Sequence, residues 1–410
     1  MELKTKYQYT YFIYPYLIEE NHYKNYIYKL LKNKKCNLKI FEPERDIKLD
    51  SYFLPEIKSK MFWPLNMNKE YLKNYQTLDL KMKATLLSKK YCTVFEYCIE
   101  KDIPGKIGEK DGIFFDINKV EIVCFNTGIC FLIMKTALQT GASFSDVLNF
   151  NYKFRDIQSK VHHTKEYEKI KIQTQQFDNM QKFSDFLMQI TGKNIIAPKI
   201  NLDTNRLITY SYVCLDQELW NEESDILNLQ KEFEKYRTVK PANEQINDIT
   251  YHTDSVYKEK YVYYGFSKNS TVLLTTTKNI QNYTELLFEY ENVQLYHYIY
   301  CLHQKIYLNK LNYEIKQAKN FENIKSRFIN FAKNDWIYEV TNNITGVILD
   351  KYYKKELELD DTFMRIKAKY DLLYKDYEVE KTNKYNNWII AIIGAAIIMW
   401  LIKLLFKFGG

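Results

Sequence analysis

No charged or strongly polar side chain interrupts the stretch Trp388-Ile-Ile-Ala-Ile-Ile-Gly-Ala-Ala-Ile-Ile-Met-Trp-Leu-Ile402. Continuing through Phe406 adds only one charge, Lys403. About nineteen residues at ~1.5 Å each give roughly 28 Å, close to the ~30 Å hydrocarbon core of a bilayer. The stretch therefore predicts a transmembrane helix over 388–406. The alternative, a buried core helix, would leave a strongly apolar terminus with no later segment to cover it.

The charges on either side of this span predict its orientation. Five lysines precede it, namely Lys367, Lys369, Lys375, Lys381 and Lys384, whereas the far end has only Lys403, near the end of the span, and Lys407, just after it. Because positive flanks stay on the cytosolic side, we expect a single-pass protein of the cell membrane whose N-terminal bulk is cytoplasmic, with membrane lipid as a partner.

Composition narrows the class of the remaining chain. The 410 residues are 46% hydrophobic and 27% charged, which predicts a folded protein of two or three structural units. The net charge of +8 suits an anionic membrane surface, and it rests mostly on lysine, which lacks the planar fork that reads base edges. We therefore expect no direct nucleic-acid partner. Seven cysteines without paired short spacing predict free thiols in a reducing compartment.

Residues 1–278 have the pattern of a cytosolic α/β (or α+β) domain. Short runs of β-branched and aromatic residues alternate with helical segments. In Cys124-Phe-Asn-Thr-Gly-Ile-Cys130, the residues Asn126 to Gly128 predict a turn between two buried strands. The predicted strands are Tyr7 to Ile18, Leu38 to Phe41, Thr93 to Ile99, Ile113 to Ile117, Val120 to Phe125, Ile129 to Met134 and Leu207 to Leu215.

The pattern changes after residue 278, where proline is absent and apolar residues recur every three or four positions. Residues 279–357 therefore predict long helices, including a run from Phe321 to about Tyr353. Residues 358–387 predict a stalk helix that begins at the capping residues around Asp360 and continues into the membrane helix.

The stalk and the span share one heptad register. Its cytosolic part is apolar and steps by three and four, as the a and d positions of a coiled coil do. The continuation changes from polar to small to apolar, and small residues let membrane helices approach closely. This pattern predicts parallel homo-oligomerisation, although the cytosolic part could instead contact its own domain. The cytosolic seam is Phe363, Ile366, Tyr370, Leu373 and Tyr377, and the pore or oligomer seam is Glu380, Lys384, Asn387, Ala391, Gly394, Ile398 and Leu401. In an oligomer of three or more subunits, Glu380, Lys384 and Asn387 would form a pore mouth.

This arrangement resembles the CorA-like superfamily of cation channels, most closely over Leu286 to Leu401. The segments Cys124 to Cys130, Phe150-Asn-Tyr-Lys-Phe-Arg155 and Leu302-His-Gln-Lys305 are also similar to divergent CorA-like proteins of antiphage and type III CRISPR loci. The resemblance implies a membrane effector that senses a small nucleotide-type signal. The family's Gly-Met-Asn filter and second span are absent from the sequence, which argues against magnesium transport.

Searches for other chemistry lead to few residues. His297 and His303 are six positions apart and fall on different helix faces, so no metal motif is indicated, and no glycine-rich nucleotide motif occurs. Arg155 and Arg206 are candidate ligands for an anionic aromatic molecule, together with Tyr152 or Tyr210, or else form surface salt bridges. No catalytic residues can be assigned.

The sequence therefore predicts a homo-oligomeric membrane effector or ion channel gated by its cytosolic domain, and the CorA-like resemblance implies a role in antiphage defence through membrane disruption. The alternative is a tail-anchored scaffold or sensor without a conducting path. An unrecognised membrane-bound enzyme is a third reading, and the chain is more readily understood as a non-enzyme.

Overall fold

The structure, a computed structural model, describes residues 3–65, 69–108, 112–156, 170–173, 181–192, 206–216, 226–246, 253–317 and 321–408. Its strands are β1 Thr5–Leu17, β2 Cys36–Leu38, β3 Cys92–Tyr97, β4 Ile103–Ile107, β5 Ile113–Phe125, β6 Ile129–Leu138, β7 Ile170–Ile172, β8 Gln181–Lys182, β9 Ile208–Leu215, β10 Val256–Glu259, β11 Val262–Ser267 and β12 Ser270–Thr276. Its α-helices are α1 Glu20–Lys32, α2 Ile47–Tyr52, α3 Pro55–Met61, α4 Lys69–Thr77, α5 Leu80–Leu87, α6 Phe144–Phe154, α7 Phe183–Thr191, α8 Ile226–Thr238, α9 Glu285–Glu289, α10 Leu295–Lys316, α11 Phe321–Asn330, α12 Ile344–Glu356 and α13 Leu359–Phe408. Two π-helical segments, Tyr290–Gln294 and Phe331–Asp335, precede α10 and follow α11.

The hairpin of β5 and β6 confirms the predicted turn. Gly128 has φ +83°, and a Cβ there would lie 2.2 Å from the carbonyl oxygen of Ile18, so both conformation and space require glycine. The two strands predicted before the turn are one strand, β5, whose pairing with β6 shifts register between Ile117 and Lys119. An irregularity of this kind keeps a long strand continuous while changing its twist.

The described strands form one sheet in the order β10-β11-β12-β9-β1-β6-β5-β4-β7-β8, with β3 also paired to β5 and β2 to β3. Neighbouring strands are antiparallel except β12 and β9, which are parallel. Strand β1 is central because it pairs with β6 on one side and β9 on the other. The N-terminal segment is therefore fixed in the middle of the sheet.

Alternation along the strands places different side chains on the two faces of the sheet. One face carries Phe12 of β1, which contacts Phe150 and Phe154 of α6. The opposite face is rich in tyrosine: Tyr210 of β9 stacks on Tyr290 with ring centroids 4.2 Å apart. Helices cover both faces, and the core consists of two apolar layers separated by the sheet.

Contacts divide the chain into two compact units. The first comprises Met1–Tyr307 with Tyr338–Leu359, and the second comprises Leu308–Ile337 with Asp360–Gly410. This division differs from the boundaries placed at residues 278, 357 and 387 from sequence. Residues of the predicted long-helix region thus belong partly to the sheet-containing unit.

The predicted mixed α/β sheet, the helices after it and a long apolar C-terminal helix are all present. One detail of the helical prediction is wrong: the run from Phe321 to Tyr353 is interrupted over 336–343, where residue Thr341 instead forms a β-bridge with Phe53. Asn343 then caps α12 by accepting a hydrogen bond from the backbone N–H of Gly346. Because an asparagine N-cap begins a helix, α12 is separate from the helix that precedes it.

Candidate functional site

Helix α13 is continuous over 50 residues and carries the predicted span. Between Lys381 and Lys403 its residues are exposed apart from Gly394, which is half-buried, and Trp388 is 71% exposed. A long exposed surface of isoleucine, leucine and tryptophan is unfavourable in water. Within the described parts of the chain, α13 is the one helix with a stretch long and apolar enough to cross a bilayer.

Local sequence explains why the helix runs unbroken. Asp360 and Asp361 occupy its first turn, where carboxylates are favourable near the positive end of the helix dipole. No proline follows Pro241, and the helix contains a single internal glycine, Gly394. Isoleucine is a modest helix former in water, but a bilayer favours helices because every backbone polar group is satisfied internally.

The predicted pore or oligomer seam lies on the exposed part of α13. Glu380, Lys384 and Asn387 are exposed, and a Cβ added at Gly394 would meet no atom within 4 Å. The remaining seam residues, Ala391, Ile398 and Leu401, are exposed as well. Among the residues that the structure describes, none covers this face at Gly394, which is sterically open to close approach by another helix.

The predicted cytosolic seam contacts α11 and Trp336, which follows the π-helical segment after α11 in the same chain. Tyr370 stacks on Phe328 with centroids 4.5 Å apart, and Phe363 stacks on Trp336 at the same centroid separation of 4.5 Å. Tyr377 donates a hydrogen bond to a carboxylate oxygen of Glu322. Ile366 is buried and Leu373 is half-buried. Part of the cytosolic seam is therefore occupied by an intrachain contact, the alternative considered from sequence.

The two halves of the register do not point in the same direction on a straight helix. A seven-residue repeat drifts by about 20° per heptad relative to 3.6 residues per turn. Ile366 and Gly394 are 28 positions apart, or four heptads, so their directions differ by roughly 80°. The small-residue face in the span is thus distinct from the face that contacts α11.

Of the two candidate ligand-binding arginines, Arg155 is the C-cap of α6 and Arg206 pairs with the residue that follows Arg155. Residues Asp156 and Arg206 form an isolated antiparallel β-bridge, and Nε of Arg206 lies 2.8 Å from Oδ1 of Asp156. The guanidinium of Arg155 lies 5.6 Å from the ring centroid of Tyr152, and Tyr210 is buried with its hydroxyl donating to the carbonyl of Tyr290. Tyr210 is thus committed to the core, and the salt bridge considered from sequence is present at Arg206.

A buried charge cluster on β5 was not anticipated from sequence. The carboxylate of Glu121 is 1% exposed and lies 2.7 Å from Nζ of Lys39 and 3.2 Å from Nζ of Lys119. Burial tends to raise the pKa of Glu121, but the two ammonium groups outweigh burial and hold that pKa below its ordinary value. Tyr296 of α10 donates its hydroxyl to the same carboxylate at 3.2 Å. The cluster joins the sheet to α10 by charge as well as by apolar contact.

A second buried polar cluster contains side chains of a metal-ligating kind. His297 and Cys301 lie one turn apart on α10, and Asp350 of α12 faces both. Nε2 of His297 is 3.0 Å, and Sγ of Cys301 is 4.0 Å, from Oδ1 of Asp350. Tyr52 of α2 lies 2.9 Å from Nδ1 of His297, and Lys354 lies 2.6 Å from Oδ2 of Asp350. The three potential ligand atoms fall within 4.8 Å of one another.

The electrostatics of this cluster shift the pKa of its thiol and the pKa of its carboxylate in opposite directions. Burial, with the nearby carboxylate of Asp350, raises the pKa of Cys301 well above its ordinary range. Burial also tends to raise the pKa of Asp350, but hydrogen bonding from His297 and the charge of Lys354 together lower it. Without a cation the cluster is thus a thiol beside a carboxylate.

Sequence reasoning missed this cluster because it compared histidine only with histidine. His297 and Cys301 have the i, i+4 spacing that places two side chains on one helix face, and this signal was present in the sequence. Asp350 is 49 positions beyond Cys301, and that contact follows from the return of α12 onto α10. Two of the three residues could therefore be grouped from the sequence, and the third, Asp350, depends on the fold.

Comparison with known protein families, with curated proteins and with solved structures finds no match for this chain.

Proposed function

We propose that the chain is a homo-oligomeric, single-pass membrane protein whose α13 helices associate in the bilayer and form a conducting or membrane-disturbing path. The observation that carries the proposal is the uncovered small-residue face of α13 around Gly394. A helix alone in lipid needs no such face, whereas close helix contact requires small residues. The membrane supplies the covering for the other exposed isoleucines.

The polar part of the same register supports a conducting path. Glu380, Lys384 and Asn387 are exposed immediately before the apolar stretch. In a parallel bundle each position is repeated around the axis, so three polar rings would meet ions before the apolar constriction. Charged rings at an entrance select ions by sign, and the amide ring of Asn387 would lie deepest.

Gating by the sheet-containing unit, a nucleotide-type signal and a role in antiphage defence are part of the same proposal, and they rest on the CorA-like resemblance of the sequence. The sheet-containing unit would be the sensing part, with its N-terminal bulk on the lysine-rich, cytosolic side. The orientation follows from the lysine bias around α13.

A second candidate is a membrane-anchored scaffold or sensor without a conducting path. The stacking of Tyr370 on Phe328 favours it, because an intrachain contact occupies part of the register that a coiled-coil stalk would use. Under this reading α13 holds the protein at the membrane, and Gly394 simply faces lipid.

Ion flux and assembly, measured on the same samples, distinguish the two candidates. Full-length protein reconstituted in liposomes should conduct, and Asn387→Leu should lose flux while its cross-linked oligomer persists. Asn386→Leu is the matched control, since the neighbouring residue points about 100° away on the helix and should retain flux.

Association itself is tested at Gly394. Gly394→Ile places a branched side chain at the proposed contact and should reduce both assembly and flux, whereas Ala396→Ile, about 200° away around the helix, should spare both. Wild-type protein that assembles without conducting would establish the scaffold reading. Unchanged assembly in Gly394→Ile would reject the association face.

A further inference from the structure

We propose that His297, Cys301 and Asp350 form a binding site for one divalent transition-metal ion, with Zn²⁺ as the expected occupant. The site lies wholly within the sheet-containing unit and is independent of the membrane function proposed for α13. It is built from two helices, since α10 provides the histidine and the cysteine and α12 provides the aspartate.

The spacing of the ligand atoms is close to what a tetrahedral ion requires. Bond lengths of about 2.0–2.3 Å to nitrogen, oxygen and sulfur give separations of roughly 3.4 Å between a nitrogen and an oxygen ligand and roughly 3.6 Å between a sulfur and an oxygen ligand. The corresponding distances are 3.0 Å from Nε2 of His297 and 4.0 Å from Sγ of Cys301, both to Oδ1 of Asp350. Each of these two distances differs from its ideal value by about 0.4 Å, and the three ligand atoms all lie within 4.8 Å of one another, so binding one ion requires side-chain rotations that also bring His297 and Cys301 closer together.

Contacts behind the ligands hold them in a suitable orientation. The hydroxyl oxygen of Tyr52, 2.9 Å away, can accept from Nδ1–H of His297, which leaves Nε2 as the coordinating atom. Lys354 holds Oδ2 of Asp350 at 2.6 Å and leaves Oδ1 for the ion. Metal-bound histidines and carboxylates are usually supported by such outer contacts.

The ligand chemistry selects the class of ion. A thiolate, an imidazole and a carboxylate form a mixed set that suits Zn²⁺ or Co²⁺, whereas Mg²⁺ and Ca²⁺ prefer oxygen ligands alone. On binding, the Cys301 thiol transfers its proton to solvent as the sulfur–metal bond forms, and the divalent charge balances the thiolate and the carboxylate. With three protein ligands, the fourth tetrahedral position would be taken by water.

An ion at this position would connect α10 to α12 and so fasten the helical layer on the tyrosine-rich face of the sheet. Tyr353 of α12 is buried beside this position, with its ring 5.3 Å from that of His297. Metal binding would then stabilise the fold of this unit, because the ligands are assembled only in the folded chain.

The competing reading is a hydrogen-bonded network without an ion. In that arrangement Tyr52 donates to Nδ1 of His297, and Nε2–H donates to Asp350. The hydroxyl of Tyr52 and the Nε2–H of His297 then each have an acceptor, and Cys301 is a buried thiol without special affinity for a metal ion. The two readings differ in metal content and in the role of the sulfur.

The test uses full-length protein in detergent, stripped with a chelator and titrated with Zn²⁺ or with Co²⁺. One ion should bind per chain, and Co²⁺ should give the thiolate-to-metal charge-transfer band of a sulfur ligand. Cys301→Ser should abolish that band and weaken binding by more than about tenfold. Cys214→Ser, at a buried free thiol of β9 outside the cluster, should leave both unchanged.

Two further measurements keep the proposal open to refutation if a variant folds poorly. Zn²⁺ should raise the thermal midpoint of the wild type and of Cys214→Ser but not that of Asp350→Asn, and circular dichroism reports whether each variant is folded. Binding of less than one ion per chain, or a Co²⁺ spectrum that Cys301→Ser leaves unchanged, would overturn the site and leave the hydrogen-bonded network.

Discussion

Disulfide cross-linking between α13 helices tests the proposed association face directly. Asn387, Gly394 and Leu401 are successive heptad positions, so on a straight helix their directions differ by only about 40° in total. Ile389 and Ala396 each lie two positions further along and point roughly 200° away from the first two. Single cysteines at the first three positions should cross-link efficiently in membranes, and cysteines at the latter two should cross-link weakly.

The chain is suited to this assay after one substitution. Cys98 is exposed, whereas the other six cysteines are buried, so Cys98→Ser provides the background. A cysteine at Gly394 is sterically acceptable because an added Cβ meets nothing within 4 Å. Oxidation of purified membranes, followed by non-reducing gel electrophoresis, reports each position.

A cysteine at Ile366 provides the outcome that would refute the association face, because Ile366 and Gly394 point roughly 80° apart around the helix axis. Because Ile366 is buried within its own chain, a cysteine there should not cross-link while one at Gly394 does. Equal cross-linking on both faces of the span would show random collision. Strong cross-linking at Ile366 would show that the intrachain packing that buries it is displaced and that the coiled-coil stalk predicted from sequence forms instead.

Three other predictions concern the charge cluster, the aromatic contact and the topology. Glu121→Gln should lower the free energy of unfolding by about 3 kcal/mol, measured by denaturant titration, because two ammonium groups lose their buried partner. The pKa of Glu121 is lower in the folded chain than in the unfolded chain, so its contribution to stability is complete above the unfolded pKa of about 4.3 and is lost as pH falls through the folded pKa. The variant should therefore lose less stability in acid than the wild type does. An acid profile identical to that of the wild type would contradict this. Tyr370→Ala should remove about 3 kcal/mol of local stability and speed hydrogen exchange in α11, because the ring is buried against Phe328, whereas exposed Leu372→Ala should not. A reporter active only outside the cytosol should function after α13 and not at the amino terminus; equal activity at both ends would exclude a single span.

The local parts of the fold were predictable because short-range chemistry specifies them. The turn at Gly128 requires a left-handed residue between two alternating strands, and the sequence carries that signal. The strands β10 to β12 were not among the predicted strands, although Val262 to Phe266 and Thr271 to Thr276 are rich in β-branched and aromatic residues, and the parallel pairing of β12 with β9 joins segments far apart in the sequence. Strand propensity depends on such neighbours more than helix propensity does.

The candidate sites divide in the same way. The exposed seam of α13 follows from periodicity within one helix, and the arrangement around Gly394 needed no tertiary information. The intrachain contact of Tyr370 with Phe328 and the approach of Asp350 to His297 join separate elements, and no periodicity in one segment encodes them. Pairing between elements is set by tertiary packing, which local sequence patterns do not indicate.

The continuity of α13 gives the helix a mechanical property. Between Tyr370 and Gly394 the backbone contains no break, so this section is a rod of about 36 Å that resists torsion. Any rotation of α13 imposed where Tyr370 stacks on Phe328 is therefore transmitted to the small-residue face with nearly the same angle. An oligomer built on that face could therefore be opened by rotation alone, with each helix turning about its own axis.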